Sequence, residues 1–198
     1  MRRLKTFSQL LRRGNRAEER SEYNAFAEHG TAFRAVNLRY LDTPLSAVGS
    51  IKVGGRYNPK GAFEVLYLAE NATTALKEVE FAASSGGRFA AAPKDPYVVF
   101  SVAFKVSKLA DLSDPVTQSR LELISEDLVK PWRLLQARGE LAPTQQLGAA
   151  LREYGLEGFK YPSATDAAIN LAIFPDRLKV DSFLEISWDG QMLARIEA

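Results

Sequence analysis

The chain has 198 residues, enough for one domain with a sizeable core and cramped for two. Its 46% apolar and 25% charged residues are ordinary for a soluble globular protein, and a formal charge of +2 implies no strong general attraction to nucleic acid. There is no cysteine and His29 is the single histidine, which excludes disulfides and thiol chemistry and argues against a Ser-His-Asp triad or a zinc site built on histidines.

The first residues are basic: Arg2, Arg3, Lys5, Arg12, Arg13 and Arg16 precede any acidic residue, and Leu4, Phe7, Leu10 and Leu11 fall on one helical face. A targeting peptide or a nucleic-acid arm can look like this; the favoured expectation is a small basic helix packed on the domain or a partner. The apolar stretch is short and interrupted by charge, which argues against secretory export. No apolar run approaches the roughly 18 residues of a membrane span, and with no credible export signal a cytoplasmic location without membrane contact is expected. Residues 17 to 29 are charged and read as helical. Thr31 to Val36 reads as a first strand, with Phe33 and Arg34 on opposite faces. Residues 40 to 50 contain Asp42, Pro44 and Gly49 and read as a loop.

Gly54-Gly55 and Asn58-Pro59-Lys60-Gly61 are turn chemistry bracketing Arg56 and Tyr57. Val65 to Ala69 is an apolar strand carrying Tyr67, and Asn71 or Thr73 can cap a helix that runs to about Ala83 and carries Glu78. Ser84 to Gly87 breaks that helix, and Pro93 to Pro96 extends the loop. Tyr97 to Val106 alternates as a long strand, and Asp111 to Pro115 is a turn with a helix start. Helices are expected near 116–125, 126–138 and 144–154. Phe159 to Tyr161, Ala168 to Phe174 and Val180 to Trp188 are the last strand candidates. The order predicts a single-domain α+β fold around one mixed sheet with flanking helices.

Arg56 stands on backbone that, for want of a Cβ at its glycine neighbours, can approach a ligand closely, and a guanidinium holds phosphate through paired hydrogen bonds. Taken alone it reads equally well as a surface arginine in a salt bridge. Tyr67 can stack a heteroaromatic ring, or be a core tyrosine with a satisfied hydroxyl. Glu78 lies among Thr74, Ala75, Phe81 and Ala82 on a small, largely apolar face, as a functional carboxylate or a boundary glutamate. Ser163, after Tyr161-Pro162, lacks an obvious base and suits a positioning role, or is a turn serine; Asn170 follows on the next strand. The Arg, Tyr and Glu together suit an anionic, aromatic substrate. No Gly-x-Gly-x-x-Gly, Walker-type loop or metal-ligand cluster is present, so no cofactor or metal is expected.

Arg56, Glu78 and Ser163, in this order and with their flanks, resemble the RES-domain family, named for its Arg, Glu and Ser. The stretches that carry the resemblance are Phe33-Arg34, Gly54 through Gly61, Leu66 through Ala69, Ala75 through Glu78, and Tyr161-Pro162-Ser163 with Asn170 beyond. Tyr57 stands where Trp is common in that family. The resemblance spans roughly residues 31 to 180 and leaves 1–30 as a basic helical extension ahead of a RES domain over 31–198.

It implies an ADP-ribosyltransferase-like fold and a toxin of a type II toxin–antitoxin system acting on NAD⁺ as substrate. In that reading Arg34 and Arg56 contact phosphates or ribose, and Tyr57, Asn58 and Tyr67 lie against the dinucleotide, with Tyr67 on the nicotinamide side. Glu78 is the catalytic acid, aided by Arg56 and Tyr67, and Ser163 orients the substrate. The implied partner is an antitoxin with an Xre-type helix-turn-helix, through which alone DNA is met. Two alternatives stay open: a mono-ADP-ribosyltransferase modifying a cellular protein, and a non-enzymatic nucleic-acid or partner-binding module using the basic arm.

Overall fold

The computed structural model describes residues 25–84, 96–124, 128 and 131–198. The basic arm and residues 17–24 of the expected first helix lie outside the described residues.

Period-two burial organises the chain. Along β3 (Tyr97–Asp111), Val102, Phe104 and Val106 are buried while Ser101, Ala103 and Lys105 are exposed. Past Val106 the alternation slips, where the pairing with β1 (Phe26–Asn37) also shifts register. β3 is long enough to serve three partners. It runs antiparallel to β1 from Tyr97 to Leu109, antiparallel to β6 (Phe183–Trp188) at residues 103–105, and parallel to β4 (Gly158–Pro162) at residues 109–111. β5 (Ile169–Ile173) lies between β4 and β2 (Leu66–Ala69), and β2 meets β1 at Phe33↔Ala69. The pairings β1–β2–β5–β4–β3–β1 therefore close a circuit, from which β6 and the edge strand β7 (Gln191–Glu197) extend a seven-stranded mixed sheet.

The circuit separates two cores. Leu66, Leu68, Leu171 and Ile173 point to one side, with Val102, Val106 and Leu184. Phe159, Tyr161 and Ala172 point to the other, where Tyr57, Phe63 and Phe174 join them and α5 (Pro143–Glu153) contributes Leu147 and Leu151. Other helices of the described residues are α1 (Val48–Val53), α2 (Ala72–Ser84), α3 (Pro115–Arg120) and α4 (Trp132–Ala137).

The α+β expectation stands, with local corrections. Residues 26–30, expected to be helical and to precede the domain, belong to β1, because a long ladder to β3 outweighs their charged, alanine-containing character. The expected loop 40–50 ends in α1. Its Ser50 hydroxyl donates to the Ala47 carbonyl (2.9 Å) and accepts from the Val65 N–H (2.8 Å), so tertiary bonds hold a turn with poor propensity. The helix expected near 116–125 is shorter, capped by Asp114, which accepts from the Thr117 N–H at 2.9 Å.

Glu157 is a carboxylate fully out of water beside the second core. Burial pushes its pKa up, but bonds from the Ser182 hydroxyl, the Lys179 N–H and the Ser107 hydroxyl and N–H outweigh this and bring it below the usual range. The Ser107 bonds are 2.8 and 2.7 Å, and the Lys179 bond is 2.8 Å. It thus ties β3 to the segment entering β6. Because its folded pKa is depressed, its stabilisation is present above the unfolded carboxylate pKa and fades as pH falls through the folded value. We expect Glu157→Gln to lose about 2–4 kcal/mol in chemical denaturation at pH 7 and to flatten the acid limb of the stability curve. A variant as stable as wild type at pH 7 would contradict this role.

Candidate active site

The paired rows of the sheet decide which side chains share a face. Tyr67, Ala172 and Phe159 form one row, and Ala69, Asn170 and Tyr161 form the row two steps on. Tyr67, Asn170 and Tyr161 therefore point to the same side. A cleft of about 480 Å³ opens there, lined by these three with Arg34, Arg56 and Glu78 among others.

Arg56 is presented by a loop that is wired from within. Gly54 has φ +80°, which suits glycine, and the Gly55 N–H donates to the Asn58 carbonyl at 2.8 Å. Asn58 is fully buried; its amide donates to the carbonyls of Ser50 (2.8 Å) and Phe63 (3.0 Å). Its Oδ1 accepts the Tyr67 hydroxyl at 2.8 Å, and that hydroxyl accepts the Tyr57 N–H at 3.0 Å. A Cβ on Gly55 would lie 2.5 Å from both Asn58 Oδ1 and the Tyr67 hydroxyl. The missing Cβ thus admits protein atoms, where the sequence suggested room for a ligand. From this loop the Arg56 guanidinium donates to the Leu128 carbonyl at 3.0 Å.

Glu78 comes from α2. Asn71 Oδ1 caps this helix by accepting the Thr74 N–H at 2.9 Å. Asp166, between β4 and β5, meets both Lys77 (3.1 Å) and Thr74 (2.9 Å) and ties that corner to the helix. The corner brings Ser163, whose hydroxyl donates to Glu78 Oε1 at 2.7 Å; Asn170 Nδ2 donates to the same oxygen at 2.7 Å. One carboxylate oxygen is thereby held, while the other accepts no hydrogen bond from the described residues. Arg34 stands on the inward face of β1 with Ala32 and Val36, and donates to the Ser46 carbonyl at 2.7 Å. Burial lowers its pKa to about 10, so it is charged at neutral pH. Burial also pushes the Tyr67 phenol well above its ordinary value, against a smaller opposing pull from the Tyr57 N–H and Arg56; it stays a neutral hydroxyl.

Of the residues singled out in the sequence, Arg34, Arg56, Tyr67 and Glu78 share the cleft. Tyr57, Asn58 and Ser163 do not line it. The Tyr57 ring is fully buried, edge-on to Phe159 (4.8 Å) and Tyr161 (4.7 Å). Asn58 spends its side chain on the loop, and Ser163 stands behind Glu78, orienting the carboxylate. Sequence reading missed Trp132 and Arg133, which enter the cleft from α4; nothing in that short amphipathic run marks them.

The wiring makes Tyr67 a positioning residue whose ring faces the cleft. Tyr67→Phe leaves Asn58 Oδ1 and the Tyr57 N–H without their partner, and we expect a loss of about 1–3 kcal/mol of stability by denaturant titration. An unchanged unfolding midpoint would mean that the hydroxyl is not needed to hold the loop.

Fold and cleft together define an α+β domain with arginines and a supported glutamate around one pocket. The sequence profile of the RES domain matches residues 31–189, and the chain belongs to the RES domain family. A chain in the crystal structure of the M. tuberculosis MbcT–MbcA toxin–antitoxin complex has the same fold, with TM-score 0.64 and 20% identity over 98% of this chain and 93% of that one. No curated protein sequence matches. Among the described residues no helix is long and apolar enough to cross a membrane.

Proposed function

We propose that the protein is the toxin of a toxin–antitoxin pair and cleaves the nicotinamide–ribose bond of NAD⁺. Membership in the RES domain family and the fold shared with a toxin of a toxin–antitoxin complex support the toxin reading. The observation that carries the chemistry is Glu78: one oxygen fixed by Ser163 and Asn170, in a cleft shared with Arg34 and Arg56.

Cleavage leaves the bond's electron pair on nicotinamide, which departs as a neutral ring and needs no strong acid. Positive charge builds on the ribose, and the second oxygen of Glu78 stabilises it or holds a ribose hydroxyl. Arg34 and Arg56 hold the diphosphate and fix the ribose against the carboxylate. With water as acceptor, one proton is released and ADP-ribose is the second product. Phosphate or a protein side chain as acceptor would change the second product and leave the first step the same. The partner in this reading is an antitoxin, of the Xre-type helix-turn-helix kind that the family resemblance implies, with DNA met through it. The NAD⁺ pool acted on is cytoplasmic.

The test incubates purified protein with NAD⁺ labelled in its adenylate half, following nicotinamide release and the fate of the label. Stoichiometric nicotinamide with soluble labelled ADP-ribose supports the reading. Label on protein favours transfer to a protein, and no nicotinamide at all overturns the proposal.

A further inference from the structure

Arg133 is a third arginine of the cleft, after Arg34 and Arg56, and has a different support. Its helix, α4, is pinned to the Arg56 loop. Gln136 Nε2 donates to the Val53 carbonyl at 3.0 Å, and Gln136 Oε1 accepts from Gln145 Nε2 at 3.0 Å. Gln145 Nε2 also donates to the Gly55 carbonyl at 3.0 Å, and Arg56 itself reaches the Leu128 carbonyl ahead of the helix. Arg133 lies three residues before Gln136, on the face that these contacts turn toward the loop. Trp132 is buried, and the Arg133 guanidinium carbon stacks 4.6 Å from its ring centroid. Such a platform holds the planar fork in place while its N–H donors stay available. Arg133 makes no hydrogen bond or ion pair with any described residue.

Burial lowers the Arg133 pKa first, the charge of Arg56 lowers it further, and Glu78 raises it. Arg133 therefore meets the like charge of Arg56 across a partly desolvated cleft. A multivalent anion bound against Arg133 would offset that repulsion and engage its open fork.

We propose that Arg133, carried on Trp132, is an anion-binding arm of the cleft that grips the phosphate chain of the substrate and sets its preference for phosphate-bearing over neutral ligands. This rests on the reading of the cleft as a dinucleotide pocket. It assigns a substrate contact to a helix far in sequence from the Arg, Glu and Ser of the family name.

The test measures binding of ADP-ribose, inorganic pyrophosphate and nicotinamide by calorimetry, with NAD⁺ kinetics, for wild type, Arg133→Ala and Arg133→Lys. Arg133→Ala weakens ADP-ribose and pyrophosphate by about 10- to 100-fold and leaves nicotinamide affinity within about twofold. Its KM for NAD⁺ rises with that loss while kcat falls much less, and Arg133→Lys recovers part of the affinity. Wild-type affinity for ADP-ribose in a folded Arg133→Ala protein would overturn the proposal. If wild type binds pyrophosphate through Arg133 but does not turn over NAD⁺, the proposed function fails and the anion arm stands. If NAD⁺ is turned over with KM indifferent to Arg133, the arm fails and the function stands.

Discussion

Replacing Glu78 by glutamine is expected to lower kcat for nicotinamide release by about 100- to 10,000-fold, or ~3–5 kcal/mol of transition-state stabilisation. The substitution is nearly isosteric. The amide oxygen can still accept from Ser163 and Asn170, which both bond to Oε1 at 2.7 Å, so the α2 to β5 junction survives. What disappears is negative charge beside the ribose, where positive charge develops only as the bond breaks. KM should therefore change much less than kcat, and folding stability should stay within ~1 kcal/mol of wild type. Activity within tenfold of wild type in a folded variant would remove the carboxylate from the chemistry.

Arg56→Ala is expected to act on the other side of the equation. It removes a forked donor from the cleft, and kcat/KM should fall by about 100- to 1,000-fold, mostly through KM. Arg56→Lys restores charge without the fork and should recover only part of the loss. Part of any effect is structural, because Arg56 also holds the Leu128 carbonyl at 3.0 Å, a bond worth about 1–3 kcal/mol. Affinity for ADP-ribose separates the two contributions. A variant that keeps wild-type affinity while losing stability would make Arg56 a loop brace and nothing more.

Much of the sheet was legible because period-two patterns survive where one face is buried, as in Tyr97 to Val106. The final strand was not. Met192, Leu193, Ala194 and Arg195 favour helix, and only pairing with β6 makes them a strand. A local signal was present: Asp189 (φ 49°) and Gly190 (φ 73°) are the Asp-Gly pair of a two-residue hairpin, flanked by the pair Trp188↔Gln191. In the cleft, Arg56, Tyr67 and Glu78 were legible as chemistry-bearing residues in unusual settings. The tasks of Asn58 and Tyr57 were not, because a buried loop brace and a ligand-binding loop residue have the same local sequence. Their difference is made by Ser50, Phe63, Tyr67, Phe159 and Tyr161, which fold around them. Arg133 was invisible for the complementary reason. Its position follows from Gln136 and Gln145 docking on a loop some eighty residues earlier.

The proposed cleavage requires one dinucleotide to lie between Arg56 and Glu78. A crystal structure of the Glu78→Gln variant soaked with NAD⁺ tests this most directly. The expected result is intact NAD⁺ with its diphosphate against Arg34 and Arg56 and its nicotinamide ribose beside residue 78. NAD⁺ bound elsewhere, or a cleft that stays empty at saturating NAD⁺, would contradict it.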